Sequence, residues 1–130
     1  MLPQRIFRVA AALGVLSVAL GAFGAHGLKS LASAVELSTF QTAVRYQFYH
    51  VFALALTGVL AHLFPQQTNS WRRAAWAFGW GIIIFSGSLY ALTAAKINGL
   101  EMGWLGAITP LGGLGFIIGW ILLFFALPRK

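Results

Sequence analysis

The sequence predicts an all-α, polytopic membrane protein, built as an antiparallel bundle of four transmembrane helices with both termini in the cytoplasm. The chain of 130 residues is 59% apolar and only 8% charged, whereas a soluble domain carries about 25% charged residues. The apolar residues form four long runs. The basic residues lie at the ends of these runs instead of forming a patch, which is the membrane pattern. We therefore expect one transmembrane domain over residues 1–130 and no nucleic-acid partner.

The first two apolar runs are long enough to cross a bilayer. Residues 6–25 supply the roughly 20 residues that a helix needs to cross about 30 Å of hydrocarbon. This run exceeds the roughly 7–15 apolar residues of a signal peptide, so we expect a span. Residues 38–64 would measure about 40 Å as a helix, and Pro65 ends them. The first turns of this second span should therefore lie in the headgroup region.

The third and fourth runs complete the bundle. Residues 71–95 form the third span, and Asn98-Gly99 marks the turn after it. For the fourth span we expect residues 109–127, with Thr109 as the N-cap and Pro110 at the first helical position. The apolar stretch before Pro110 either continues this helix or lines the outer entrance of the bundle.

The distribution of basic residues predicts the orientation. The N-terminus, the second loop and the C-terminus carry six basic residues and no acid. In the first and third loops, Lys29 and Lys96 are offset by Glu36 and Glu101. The positive-inside rule therefore places both termini in the cytoplasm. The six inner basic residues are Arg5, Arg8, Arg72, Arg73, Arg129 and Lys130.

Small residues mark where the helices should meet, because lipid-solvated helices gain little hydrophobic energy by associating. We expect helix packing at Gly14, Gly21, Gly79, Gly112, Gly115 and Gly119. One stripe of small residues could be left over for self-association. On the second span, helical periodicity separates an inward face from a lipid-facing one. The inward face holds Tyr46, His50, Thr57 and Ala61, and the outward face Gln41, Arg45, Tyr49 and Phe52.

Seven polar residues fall in the outer half of this bundle, and we call them the outer polar cluster. Two interpretations stay open: a network of interhelical hydrogen bonds, or a small pocket that opens outward. Arg45 lies at the outer boundary, where it can reach lipid phosphates or pair with Glu36 or Glu101. The outer polar cluster consists of His26, Gln47, His50, Ser86, Ser88, Tyr90 and Thr109.

The sequence gives little support for catalysis, metals or cofactors. It contains no cysteine, which removes thiolate chemistry. No carboxylate lies within a span, so the usual general acid or base is missing. Three histidines on two helices, His26, His50 and His62, make a poor metal site. The glycine run at residues 112–115 opens a membrane helix and lacks the lysine of a phosphate loop. We expect neither an enzyme nor a cofactor.

Four motifs resemble the YgdD/YwdK family of small bacterial membrane proteins, labelled domain of unknown function four-two-three. They are GAFGAH at residues 21–26, FQTAVRYQFYH at 40–50, FSGSLYAL at 85–92 and ITPLGG at 108–113. The resemblance covers nearly the whole chain. It implies a four-helix protein of the bacterial inner membrane, and it supplies no activity or catalytic residue.

Two hypotheses for function follow. The first is a non-enzymatic helical module that associates with itself or with a larger membrane complex and binds lipid at its outer face. The second is a transporter or channel component that moves a small solute or lipid headgroup through the outer polar cluster. A membrane enzyme ranks third, because the acid–base pair is missing.

Overall fold

The computed structural model describes residues 2–127, and four long α-helices account for most of them. Short 3-10 turns, Leu28–Ser30 and Pro65–Gln67, lie in the first two connections. The number of helices agrees with the prediction, whereas Arg129 and Lys130 lie outside the described residues. The helices are α1 (Leu2–Ala25), α2 (Ala34–Leu63), α3 (Thr68–Ile97) and α4 (Trp104–Ala126).

Helix α2 begins four residues earlier than its apolar run, because a capping box starts it. The Ser33 hydroxyl accepts a hydrogen bond from the Glu36 backbone N–H at 3.3 Å. In return, Glu36 Oε2 accepts one from the Ser33 backbone N–H at 2.7 Å. Two of the helix's unpaired N–H groups are thereby satisfied. The serine and glutamate three residues apart are the sequence signal for this start, and hydrophobicity alone misses it.

Helix α4 begins at Trp104, so the prediction of a start at Pro110 with Thr109 as N-cap is wrong. Pro110 lies in the second turn, inside the helix. A proline here removes the N–H that would bond to the Gly106 carbonyl. Instead of capping, Thr109 Oγ1 donates to the Leu105 carbonyl at 3.3 Å. The loss is confined to one bond near the helix start, where the chain tolerates it.

Each helix packs antiparallel against its neighbour in sequence. The main contacts join α1 to α2, α2 to α3 and α3 to α4, whereas α1 and α4 share at most isolated contacts within the described residues. The predicted bundle is therefore open between its first and last helices. Two contacts at each interface show the antiparallel direction. They are Gly14–Val51 and Ile6–Gly58 for α1 and α2, Ala43–Ser86 and His50–Phe78 for α2 and α3, and Ser88–Thr109 and Phe78–Gly119 for α3 and α4.

Three segments are long and apolar enough to cross a membrane: Leu2–Ser30, Pro65–Ile97 and Trp104–Ala126. Helix α2 has 30 residues, but it is not among them. Its first half carries Arg45, Gln47 and His50, which lower its mean hydropathy.

The faces of α2 follow the predicted division with one exception. His50, Thr57 and Ala61 are buried, and the four residues predicted to face lipid are exposed. Tyr46, however, is 39% exposed, because its ring lies at the edge of a groove between α2 and α4 instead of inside the bundle.

Candidate functional site

Gln47 joins three helices at the centre of the outer polar cluster. Its side chain is 1% exposed. Gln47 Nε2 donates to the Leu13 carbonyl of α1 at 3.1 Å, and Gln47 Oε1 accepts from the Tyr90 hydroxyl of α3 at 2.8 Å. The Tyr90 ring also packs against Phe40, with centroids 5.0 Å apart. Gln47 thus connects α1 and α3 through α2.

Two serines of α3 make separate interhelical bonds. Ser86 Oγ donates to the Ala43 carbonyl of α2 at 2.8 Å. Ser88 Oγ lies 2.8 Å from Thr109 Oγ1 of α4. Both serines are buried, at 1% and 7% exposure. Five of the seven residues in the outer polar cluster are therefore paired across helix interfaces, and two histidines are not.

The two histidines lie apart from these bonds. His26 is exposed just beyond the end of α1. His50 is buried, and its ring stacks on Phe116 of α4 with centroids 3.4 Å apart and planes 5° apart. Within residues 2–127, no three His, Cys, Asp or Glu side chains lie close enough to hold a metal ion.

Glycines set the close approach of α3 and α4. A Cβ added to Gly112 would lie 2.7 Å from Phe85 Cα, and one added to Gly119 would lie 2.6 Å from the Phe78 ring. At Gly115 it would lie 3.2 Å from Gly81 Cα. The helices can therefore approach this closely only because these positions have no side chain.

The other glycines predicted at helix interfaces differ in how closely the neighbouring helix approaches them. Cβ atoms at Gly14 and Gly21 would meet Val51 and Val44 of α2 at 3.7 and 3.5 Å, which is ordinary contact. Gly79 departs from the prediction, because a Cβ there would have nothing within 4 Å among the described residues. It lies on α3 away from the neighbouring helices.

Sequence reasoning missed Phe116 and Gly81. A Cβ on Gly81 would lie 2.5 Å from the Phe116 ring, so Gly81 makes the space in which that ring covers His50. The pairing of a glycine with a phenylalanine on another helix leaves no local pattern in the sequence. The carbonyls of Leu13 and Ala43, which accept the interhelical bonds, are equally invisible there.

Arg45 is exposed beside a crevice between α1 and α2. The crevice has a volume of about 290 Å³. Glycines form part of its lining, together with two aromatic rings. Glu36 is engaged in the capping box of α2. The residues that line the crevice are Gly21, Gly24, Ala25, Phe40, Gln41, Val44, Arg45 and Phe48.

The fold and the pairing of its polar groups define a small α-helical membrane protein whose helices are joined by hydrogen bonds. The chain belongs to the family described as protein of unknown function (DUF423), whose model matches residues 20–113. The predicted family resemblance is thereby confirmed.

Relatives match over most of both chains. UPF0382 membrane protein SAB0533 of Staphylococcus aureus is 44% identical over 124 residues, which are 95% of each chain. UPF0382 membrane protein YwdK of Bacillus subtilis is 41% identical over 92% of this chain and 94% of its own. A UPF0382 membrane protein of Haemophilus influenzae is 42% identical over 85% of this chain and 82% of its own. No solved structure matches the chain.

Proposed function

We propose that this chain is a non-enzymatic helical module of the bacterial cytoplasmic membrane, with four crossings and both termini inside. In this proposal it assembles with itself or with a larger membrane complex, and it binds lipid at its outer face. One observation carries the proposal: the buried side chains of Gln47, Ser86 and Ser88 make hydrogen bonds to other helices, while within residues 2–127 one side of α1 has no neighbouring helix.

The four crossings rest on how α2 packs. Gly58 of α2 lies against Ile6 near the start of α1, and Gly24 near the end of α1 lies against Phe40 of α2. Helix α2 thus runs antiparallel along nearly the whole of α1. If α1 crosses the bilayer, α2 passes through the same depth, and its polar groups are tolerated there because they face neighbouring helices.

Cysteine accessibility tests this topology, because the chain contains no cysteine of its own. We expect Ser30→Cys and Asn98→Cys to react with a membrane-impermeant maleimide in intact spheroplasts. Gln66→Cys should react only after the membrane is permeabilised. All three residues are exposed in connections or at a helix end, so access depends on the membrane side. The reverse pattern would overturn the orientation, and labelling of all three from outside would overturn the crossings.

The open side of α1 supports assembly. Three alanines and one valine at spacings of three and four are exposed along it, and small residues such as alanine let helices approach closely. The glycines predicted to pack α1, Gly14 and Gly21, lie on the opposite side of the helix, against α2. The exposed stripe consists of Ala12, Val15, Ala19 and Ala22.

Disulfide cross-linking in native membranes tests assembly. If copies associate through this stripe, Ala19→Cys should give a covalent dimer under mild oxidation. Phe124→Cys is the matched control, because it is 71% exposed on α4 and away from the stripe. A larger partner would instead appear as a heterologous cross-linked band from Ala19→Cys. Monomers in native mass spectrometry, together with no cross-link from any stripe position, would overturn this part.

The Arg45 crevice supports lipid binding. An arginine beside an apolar, glycine-lined crevice suits a lipid phosphate with an acyl chain in the crevice, since the guanidinium bonds phosphate in bidentate fashion. We expect Arg45→Gln to lose phospholipid adducts in native mass spectrometry. Lys29→Gln removes an exposed cation of the first connection and should keep them. Equal retention by both variants would overturn the lipid site.

A further inference from the structure

The side chain of His50 has one nitrogen that the fold does not pair. His50 Nδ1 lies 2.8 Å from the Tyr46 carbonyl. Its other ring nitrogen, Nε2, has no hydrogen-bond partner among residues 2–127, yet it is not one of their fully enclosed unpaired atoms. The side chain as a whole is only 6% exposed. Nε2 is therefore accessible from a side chain that is otherwise buried.

The partner of Nδ1 determines what Nε2 can bind. A backbone carbonyl only accepts hydrogen bonds, so Nδ1 must carry the proton. In the neutral imidazole, Nε2 then presents a lone pair. The unpaired position of His50 is thus an acceptor, and it needs a ligand that carries an O–H or N–H donor.

The imidazole is held rigidly by aromatic rings. It stacks on Phe116, and the rings of Phe78 and Trp120 have centroids 5.9 and 6.5 Å from it. Gly81 leaves the space that the Phe116 ring occupies. The direction of the Nε2 lone pair is therefore set before any ligand arrives, which lowers the entropy lost on binding.

His50 lines a groove between α2 and α4, so a donor seated in this groove lies beside the imidazole. The groove has a volume of about 560 Å³. Ile117 and Leu114 at its edge are more than half exposed, so it opens sideways from the protein. Apart from His50, the Tyr46 hydroxyl and the Trp120 indole N–H, its lining is hydrocarbon or aromatic. They are Tyr46, His50, Phe85, Pro110, Gly113, Leu114, Phe116, Ile117 and Trp120.

We infer that this groove binds a quinol, a membrane-dissolved aromatic diol with a hydrocarbon tail, which donates a hydroxyl to His50 Nε2. The inference rests on the proposed crossing of α2. In that setting no water satisfies the nitrogen, and an unpaired polar group in hydrocarbon is costly. The Tyr46 hydroxyl and the Trp120 indole N–H line the same groove but make no hydrogen bond to His50 in the structure, so a donor from the lipid phase or from a second copy is needed.

Aromatic walls and depth favour a quinol over other lipids. A flat ring packs well beside Tyr46, Phe85 and Trp120, and a hydrocarbon tail can leave past Leu114 and Ile117. His50 lies five residues beyond Arg45, about 7.5 Å deeper along α2. The hydroxyl of a glycerolipid stays with its headgroup near the level of Arg45, whereas a quinol ring can enter below it.

The test uses the full chain in nanodiscs and a benzoquinol with a decyl tail, kept reduced under anaerobic conditions. Ring-¹⁵N-labelled histidine reports the hydrogen bond, and quenching of tryptophan fluorescence reports affinity. We expect the His50 Nε2 resonance to shift on addition of the quinol. The corresponding quinone has no hydroxyl to donate, so it should bind about tenfold more weakly.

Two variants make the result specific. His50→Phe keeps a ring on Phe116 but removes the acceptor, so the tenfold preference for quinol over quinone should disappear. His62→Phe, in the last turn of α2, should keep the preference for quinol over quinone. If His50→Phe fails to fold, Gly113→Leu adds a side chain to the groove lining, where a Cβ would meet the Phe85 ring at 3.9 Å, and should weaken both ligands.

Several outcomes would overturn the inference. Equal affinity for quinol and quinone in the native chain would do so. So would displacement of the quinol by an equal amount of diacylglycerol, or an Ile117→Cys cross-link showing that a second copy fills the groove. Cysteine labelling separates the two proposals: a failed quinol assay with correct labelling at Ser30, Gln66 and Asn98 rejects only the quinol site.

Discussion

The hydroxyl of Tyr90 donates to Gln47 Oε1 at 2.8 Å, which joins α3 to α2 inside the bundle. Gln47 then passes the connection to α1 through the Leu13 carbonyl. One amide on α2 therefore pairs with a donor on α3 and an acceptor on α1. Such a pair specifies the register of the helices, since sliding either neighbour by one turn would leave buried groups unpaired.

Gln47→Leu should destabilise the protein by about 1–2 kcal/mol, because it removes two interhelical bonds that average about 0.6 kcal/mol each and reach about 1.7. Tyr90→Phe alone should cost about 0.6 kcal/mol. In the double variant, the Tyr90→Phe change should cost almost nothing further. Unfolding in mixed detergent–SDS micelles measures these free energies.

Tyr49→Phe is the control for this comparison of single and double variants. Because Tyr49 is 55% exposed, its substitution should change stability by less than about 0.5 kcal/mol. Fully additive losses in the double variant would show that Gln47 and Tyr90 do not interact.

Gly112→Ala should separate α3 from α4. Its Cβ would lie 2.7 Å from the backbone of Phe85, and backbone cannot move aside as a side-chain tip can. We expect a loss of about 1–3 kcal/mol from overpacking. Gly79→Ala is the matched control, since its Cβ would meet no other atom of residues 2–127 within 4 Å and alanine favours a helix over glycine by about 0.5–1 kcal/mol. Thermal unfolding in detergent that ranked Gly79→Ala below Gly112→Ala would contradict the packing described.

The sequence predicts the helices better than their contacts. Apolar runs located all four helices, and small residues located the α3–α4 contact at Gly112, Gly115 and Gly119. Long-range partners leave no such pattern: nothing local relates Gly81 to Phe116. The outer polar cluster was found as a set of residue types, but its bonds depend on which carbonyls lie opposite.

Ser33→Ala should shorten α2, because it removes the acceptor for the Glu36 backbone N–H. Loss of an N-cap costs about 0.5–2 kcal/mol. Amide hydrogen exchange should speed up over the first turn of α2. Ser38→Ala changes an exposed serine of the same helix and should leave exchange in that turn unchanged. Equal exchange in the two variants would mean that the capping box does not hold the helix start.

Pro110→Ala should extend protection from amide hydrogen exchange through position 110 of α4 without lowering the stability of the protein. In the structure the helix already includes residues 104–109, and the proline deprives only the Gly106 carbonyl of its partner. Alanine restores that N–H. In a helix interior, alanine is more favourable than proline by about 3 kcal/mol, and the gain in stability should be smaller than this so close to the helix start.

The amide created at position 110 should therefore exchange slowly, with a stability equal to or above that of the native chain. Leu111→Ala is the comparison, since it changes an exposed neighbour that is 61% accessible and creates no new donor. A rapidly exchanging amide at position 110 would favour the alternative derived from the sequence. In that alternative the helix starts at the proline, and residues 104–109 form an entrance loop.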